Sequence, residues 1–212
     1  MTQGKFISLE GGEGTGKSTQ CRLLCKYLRG RGDEVVATRE PGGAPGAEEI
    51  RRLLVVGTID RWQPLSEVLL HYAARCEHRA HTIEPALAAG RWVVSDRFAD
   101  STLAYQGHGH RLGANRIGDL QRAILGDFAP DLTIILDLAV EEGLRRASSR
   151  STQPGLGTED RYERMDLDFH QRVRQGFLSI AAAEPERCAV VDATPAAELV
   201  HKGITAVVDE RL

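Results

Sequence analysis

Short apolar runs rich in β-branched residues alternate along this chain with longer segments of helical spacing. The apolar runs occupy residues 6–9, 35–38, 93–95, 132–136 and 189–191. Segments with apolar residues at helical spacing occupy residues 17–29, 47–55, 65–89, 116–125, 140–149, 165–183 and 196–208. Runs without polar alternation are typical of strands that are buried on both faces. The pattern therefore predicts an α/β fold, a doubly wound five-stranded parallel sheet with helices on both faces.

Residues 148–160 interrupt this alternation. Their sequence, SSRSTQPGLGTED, is rich in Ser, Thr, Gly and Pro and lies between two predicted helices. Such a composition favours a loop over a regular element. We expect a mobile lid at about 148–160. Because no linker or internal repeat divides the chain, we expect residues 1–212 to form one domain.

Size and charge narrow the possible partners. A chain of 212 residues with 42% hydrophobic content is long enough to bury one core. Its formal net charge of -3 argues against general affinity for nucleic acid or an anionic membrane, so any polyanion site must be local. No stretch approaches the ~18 apolar residues of a membrane span. We expect a cytoplasmic protein with no nucleic-acid or membrane partner.

A phosphate-binding loop follows the first apolar run. Residues 11–18, GGEGTGKS, match the pattern GxxxxGK[ST], and a helix is predicted to follow. Backbone N–H groups of such a loop and the helix N-terminus attract phosphate oxygens. Lys17 is expected to reach the β- and γ-phosphates, and the Ser18 hydroxyl is expected to hold Mg²⁺. We assign nucleoside triphosphate binding to Gly11, Gly12, Glu13, Gly14, Thr15, Gly16, Lys17, Ser18 and Thr19.

Other motifs indicate what happens to the bound nucleotide. The sequences TREPGG at 38–43, SDRF at 95–98, STLAYQG at 101–107 and the pair Asp160-Arg161 follow in that order. Together with the P-loop, and over residues 6–192, they resemble thymidylate kinase of the bacterial type. The resemblance implies a P-loop NTPase fold and transfer of the γ-phosphate of ATP, with Mg²⁺, to dTMP. It also implies a homodimer packed through helices.

The acceptor phosphate is assigned to Arg39 and Arg97. Arg97 follows a predicted strand, at the sheet edge where ligands bind in such folds, and its guanidinium can clamp a phosphate bidentately. The resemblance makes Arg97 a catalytic residue as well. Asp96 beside it is expected to hold Mg²⁺ with Ser18, directly or through water. Asp137 ends another apolar run and is a rival for this acidic position, although the resemblance favours Asp96.

Glu13 is an acid inside a loop that attracts anions, a placement that suggests function. In the resembling kinases the acid of this loop lies near the 3′-hydroxyl of dTMP, so we assign Glu13 to acceptor binding and catalysis. Gly14 stands where some eukaryotic relatives have arginine, which implies that catalytic arginines come from the lid. We choose Arg150 and Arg161, with Arg146 as a third candidate.

The thymine base is assigned to two segments. The resembling kinases place an aromatic residue, normally Phe, and an arginine four positions later against the ring, and His71 and Arg75 occupy those positions. An imidazole offers less apolar area than Phe and is partly protonated near its ordinary pKa of about 6.5, so we expect weaker stacking. His71 on a solvated face is the alternative. The second segment supplies Thr102, Tyr105 and Gln106, which are expected to read thymine and exclude a ribose 2′-hydroxyl.

Two of these segments and the function itself have alternative interpretations. Tyr105 also fits plain core packing, and a predicted loop at 106–110, QGHGH, carries two histidines that suggest a weak metal site. A kinase for another nucleoside monophosphate or for a deoxynucleoside is the nearest rival function. A regulatory module that binds nucleotide without catalysis is the rival from another class.

Overall fold

The computed structural model describes residues 4–151 and 161–212, with only the backbone for residues 150 and 151. Five parallel strands form one sheet: β1 (Phe6–Glu10), β2 (Val35–Arg39), β3 (Trp92–Asp96), β4 (Leu132–Asp137) and β5 (Cys188–Asp192). Their order in the sheet is β2-β3-β1-β4-β5. The five-stranded parallel sheet predicted from the apolar runs is confirmed.

Helices follow each strand along the chain, as the sequence pattern predicts. They are α1 (Lys17–Gly30), α2 (Pro45–Val55), α3 (Pro64–His78), α4 (Glu84–Ala88), α5 (Ala99–Thr102), α6 (Ala114–Leu125), α7 (Val140–Ser151), α8 (Leu167–Ala183) and α9 (Ala197–Arg211). Two π-helical segments, Arg79–Ile83 and Leu103–Gly109, continue α3 and α5. Among the residues that the structure describes, none of the helices combines the length and the apolar character needed to cross a membrane.

Alternate residues of β1 face opposite sides of the sheet. Ile7 packs in a cluster with Leu24 of α1 and Ile204 of α9. Phe6 packs in a second cluster with Val68 of α3. Because successive strand side chains point to opposite faces, each face of the sheet needs its own helical cover. This packing confirms helices on both faces.

Two predicted boundaries were wrong. The loop was expected to begin at residue 148, but α7 continues through residues 148–151. The Ser148 and Ser149 hydroxyls bond to carbonyls within their own helix. The rest of the expected lid, residues 152–160, lies outside the described residues. Residues 106–110 are also not a loop: the π-helical segment extends to Gly109 and packs against α8.

The strand ends bring the sequence motifs together. In the register of the sheet, Leu9 of β1 and Arg39 of β2 both lie beside Asp96 of β3. The carboxyl ends of parallel strands meet at one edge, so the chain segments that follow β1, β2 and β3 surround a common space.

Candidate active site

A cleft of about 280 Å³ lies at this edge of the sheet. Its volume is close to the lower end of the roughly 300–1,000 Å³ that ligand pockets occupy. Most of the residues that the sequence assigned to nucleotide binding line it: Glu13, Gly14, Gly16, Lys17, Ser18, Arg39, His71, Asp96, Arg97, Thr102, Tyr105 and Gln106. Gly11, Gly12 and Thr15 line a smaller cavity behind the loop, and Thr19 is exposed in the first turn of α1.

The phosphate-binding loop is shaped by close backbone approaches. Gly11 has a φ of 135°, and a Cβ built there would lie 2.5 Å from the carbonyl oxygen of Leu136. Gly14 has a φ of 68° and lies against the backbone of Gly143 in α7, so no side chain fits there. Glycine is therefore required at both positions by conformation and by space.

Lys17 is buried at the start of α1. Its Nζ donates to the carbonyls of Gly11 at 3.1 Å and Gly12 at 2.6 Å, so the loop itself holds the ammonium group. Burial and the neighbouring Arg97 charge lower the pKa of Lys17 to about 8. A phosphate anion placed in the loop favours the charged form of Lys17.

Ser18 and Asp96 meet at the mouth of the loop. The Ser18 hydroxyl donates to Asp96 Oδ2 at 2.6 Å. A hydroxyl and a carboxylate side by side are the hard oxygen donors that Mg²⁺ prefers, so the pair fits this ion. Asp137 was the rival candidate for the magnesium position. Both of its carboxylate oxygens accept hydrogen bonds from Arg174, at 2.7 and 2.8 Å, and it lines the smaller cavity instead. Among the described residues, no group of three or more His, Cys, Asp or Glu side chains is arranged to hold a metal ion.

Arg97 joins several partners inside the cleft. It has a φ of 74°, in the left-handed region that non-glycine residues rarely adopt. Its guanidinium donates to the Gly11 carbonyl at 3.0 Å, to the Tyr105 hydroxyl at 2.9 Å and to Glu13 Oε1 at 3.2 Å. These partners hold the guanidinium inside the cleft in one orientation.

Glu13 and Tyr105 are joined in this network. The Tyr105 hydroxyl donates to Glu13 Oε1 at 2.6 Å. Burial acts to raise the pKa of Glu13, but the charges of Arg97 and Lys17 outweigh it and lower that pKa to about 2. Glu13 is therefore a carboxylate at neutral pH and can accept a hydrogen bond from a hydroxyl group. Tyr105 lines the cleft as well as packing against Phe169, so it is more than core filler.

Arg39 and Arg75 differ in exposure. The Arg39 side chain is 54% exposed and pairs with Glu48 at 3.2 Å, so it reaches the cleft from its rim. Arg75 is buried behind the wall, where its Nε donates to Glu40 at 2.7 Å and its Nη2 donates to Thr102 Oγ1 at 3.1 Å. The structure thus places Arg75 as the support of Thr102, which itself lines the cleft.

His71 lines the cleft and contacts Tyr162. The His71 Nε2 and the Tyr162 hydroxyl are 2.9 Å apart, which places the imidazole away from a solvated helix face. Burial, with the Arg75 charge, lowers the pKa of His71 to about 4. The imidazole is therefore neutral near pH 6.5, where it was expected to be partly protonated.

Arg161 does not reach the cleft. Its guanidinium donates to the carbonyls of Thr58 and Ile59 at 2.9 Å each and forms a buried ion pair with Glu67 of α3. The sequence placed Arg161 in the lid over the cleft, and the structure corrects this. Backbone carbonyls and the Glu67 carboxylate bind the Arg161 guanidinium instead. Arg146, the third candidate, donates to the carbonyl of Ala193 at 3.0 Å. The side chain of Arg150 lies outside the described residues.

The sequence reasoning missed several residues of the cleft wall. They are Glu40, Pro41, Arg51, Val55, Ser101, Tyr162 and Glu163. Glu40 and Ser101 lie inside the motifs TREPGG and STLAYQG, and Tyr162 directly follows Arg161. Proximity to a motif could therefore have identified these three residues. The sequence also missed the buried ion pair of Glu67 with Arg161, and no motif lies near Glu67. A charged residue on a helix usually marks a solvated face, whereas the Glu67 side chain is 1% exposed.

Comparison with known proteins agrees with this geometry. The family model for thymidylate kinase matches residues 9–204. The chain is 52% identical over 212 residues to a thymidylate kinase of Caulobacter vibrioides, which covers 100% of this chain and 99% of that protein. It is 48% identical over 210 residues to a thymidylate kinase of a Bradyrhizobium species, and the match covers 99% of this chain and 92% of that protein. A crystal structure of thymidylate kinase from Ehrlichia chaffeensis superimposes with a TM-score of 0.78 at 35% identity, covering 97% of this chain and 98% of that one. This chain belongs to the thymidylate kinase family.

Proposed function

We propose that the cleft binds dTMP beside a P-loop that binds ATP, and that residues 1–212 act as one catalytic domain. The reaction transfers the γ-phosphate of ATP to dTMP and gives dTDP and ADP, a step in dTTP synthesis. The observation that carries the arrangement is the pair of cations in one cleft, Lys17 on the loop side and Arg97 on the other. Two polyanions held between them are aligned for direct in-line transfer without a covalent intermediate.

Ser18 and Asp96 are the residues that we propose to hold Mg²⁺, directly or through water. The ion supplies positive charge to the phosphate oxygens during transfer. The contact between the two side chains supports a shared role, because both offer oxygen atoms at the mouth of the loop.

On the acceptor side we propose that Arg97 and Arg39 bind the 5′-phosphate of dTMP. Arg97 is half-buried and already oriented, so it supplies the fixed contact, whereas the exposed Arg39 closes the rim. Glu13 accepts a hydrogen bond from the 3′-hydroxyl. The Tyr105 ring packs beside it and leaves little space at the 2′ position of the sugar.

We propose that thymine lies between His71 and the Thr102–Gln106 segment. Gln106 donates from Nε2 to Glu67 at 2.8 Å, and its buried Oε1 has no hydrogen-bond partner among the described residues. A buried acceptor without a partner favours a ligand that donates, and the thymine ring carries one N–H group in the N3 position. Arg75 acts by holding Thr102, and its buried Nη1 likewise has no partner among the residues described.

The lid arginine stays a proposal. Because Arg161 is held by Glu67 and by backbone carbonyls, we assign the transition-state role to Arg150 rather than to Arg161. Stabilisation of the transferring group by an arginine is worth on the order of 10³–10⁵ in rate where it has been measured. Alanine at position 150 should therefore lower kcat strongly while leaving the folded state unchanged.

We also propose a homodimer that forms through α3. Leu65 and Leu69 lie one turn apart on this helix and are 38% and 51% exposed. An apolar stripe on a helix favours packing against another apolar face. Light scattering should give twice the mass of the chain, and Leu69→Glu should give the monomer. The cytoplasmic location expected from the sequence stays a prediction.

A coupled assay for ADP release tests the function. With MgATP, dTMP should stimulate ADP release, other nucleoside monophosphates should stimulate it less, and removal of Mg²⁺ should abolish it. Absence of ADP release with every acceptor would support the regulatory-module alternative. Stronger stimulation by another monophosphate or by a deoxynucleoside would identify that compound, and not dTMP, as the acceptor.

A further inference from the structure

Glu10 is a buried acid with no part in the roles described above. It is the last residue of β1, it is 0% exposed, and it does not line the cleft. Burial, and the neighbouring Asp100 charge, raise the pKa of Glu10 to about 8. A carboxyl group is costly to bury unless its oxygen atoms are bonded, so its partners indicate its role.

Both oxygens of Glu10 bind the segment that follows β3. Oε1 accepts from the backbone N–H of Phe98 at 2.6 Å, and Oε2 accepts from the Ser101 hydroxyl at 2.6 Å. These two donors lie one and four residues after Arg97 in the chain. Glu10 therefore fixes the turn that carries the acceptor-side cation.

Arg97 needs such support because of its backbone conformation. The left-handed region is unfavourable for a residue with a Cβ and persists only where surrounding contacts impose it. The Arg97 N–H donates to the carbonyl of Leu9 at 3.0 Å, so β1 holds the residue from one side. The Arg97 Nη1 donates to Ser101 Oγ at 3.0 Å, which links the guanidinium to Glu10 through one hydroxyl group.

We propose that Glu10 is a positioning residue for the acceptor phosphate site. It holds Arg97 in its left-handed conformation through Phe98, and it holds the guanidinium through Ser101. The strand that leads into the donor loop thereby sets the geometry of the acceptor cation. Loss of these contacts should weaken use of dTMP and leave ATP binding nearly unchanged.

The test compares Glu10→Met, Glu10→Gln and Ser101→Ala in steady-state kinetics. Methionine keeps the length of the side chain and removes both acceptors, so we expect KM for dTMP to rise about tenfold and KM for ATP to change less than twofold. Glutamine keeps an acceptor for Phe98 and should restore KM for dTMP to within about threefold of wild type. Ser101→Ala should raise KM for dTMP, and adding it to Glu10→Met should produce no further rise.

Ser8→Ala is the matched control. Ser8 is a buried residue of the same strand, and its hydroxyl is 2.9 Å from that of Thr133, with no link to Arg97. It should lower Tm and leave KM for dTMP unchanged. A folded Glu10→Met enzyme with wild-type KM for dTMP would overturn the proposal. If that variant does not fold, Ser101→Ala decides, and an unchanged KM for dTMP would overturn it equally.

Discussion

The donor side that we propose takes its contacts from the consecutive residues 11–18. The acceptor side that we propose takes single side chains from β2, α3, the turn after β3 and the segment after residue 160. On the donor side, backbone conformation and one lysine define the site. On the acceptor side, buried ion pairs and hydrogen bonds between distant segments define it. The first kind of site is tied to local sequence, and the second depends on the whole fold.

The largest effect should come from the buried ion pair behind the acceptor side. We expect Glu67→Gln to lower the free energy of unfolding by about 3–5 kcal/mol, because Arg161 is left as an uncompensated buried charge. The neighbouring His110 side chain and the Arg161 charge outweigh burial and lower the pKa of Glu67 to about 2. Urea unfolding of the two proteins gives the difference.

This stability difference should also depend on pH in a defined way. A carboxyl group with a depressed pKa in the folded state stabilises it fully above the unfolded pKa. The contribution of Glu67 should therefore be constant near neutrality and disappear as pH falls from about 4.5 towards 2. Glu77 lies on the same helix with its side chain 46% exposed, so Glu77→Gln should change stability by less than about 0.5 kcal/mol. An equal loss in both variants would contradict the role of the buried pair.

Lys17→Ala should lower kcat strongly without unfolding the chain. Loss of one oriented cation or donor in such a site lowers kcat on the order of 10²–10³. A coupled assay measures kcat, and circular dichroism checks the fold. Lys26→Ala, at an exposed position of the same helix, is the control and should keep wild-type kcat. A Lys17→Ala enzyme with most of its kcat would remove the P-loop from the mechanism.

Arg97→Lys tests whether acceptor geometry matters beyond charge. A lysine keeps the charge but cannot reproduce the fork that contacts Gly11, Glu13 and Tyr105. Loss of one charged hydrogen bond, about 1.5–3 kcal/mol, corresponds to a fall of roughly 10- to 100-fold in kcat/KM for dTMP. The exposed Arg122→Lys exchange should leave kcat/KM unchanged. Equal effects of the two exchanges would mean that Arg97 acts only as a charge.

The smallest effect should come from His71→Phe. A phenyl ring adds apolar area against thymine but loses the contact with the Tyr162 hydroxyl, so we expect KM for dTMP to fall only a few-fold with little change in kcat. His71→Ala should raise KM instead. Unchanged KM in both variants would place His71 outside the nucleotide pocket.

The pH dependence sharpens this prediction. Because the pKa of His71 is about 4, the imidazole stays neutral from pH 6 to 8. The ratio of KM values between wild type and His71→Phe should therefore stay constant over that range. A ratio that rises as pH falls towards 6 would show that the imidazole titrates in the working enzyme.

The contrast between the two sides explains what the sequence could predict. The sheet follows from the apolar runs, which are buried almost throughout in β1, β3 and β4, although the edge strands β2 and β5 keep partly exposed residues. The P-loop follows from glycines that sit where no side chain fits, as at Gly11 and Gly14. Arg97 and Asp96 were found because they end a strand. The burial of Glu67 and the capture of Arg161 depend on packing between α3 and a segment nearly a hundred residues away, which no local pattern encodes.

Calorimetric titration of each substrate into Lys17→Ala and Arg97→Lys tests the separation of the two sides most directly. The Lys17→Ala protein should bind dTMP with wild-type affinity and bind MgATP at least tenfold more weakly. The Arg97→Lys protein should bind MgATP normally and bind dTMP at least tenfold more weakly. If each variant lost both substrates to the same extent, the donor and acceptor sides would be one coupled site and the assignment of separate roles would be wrong.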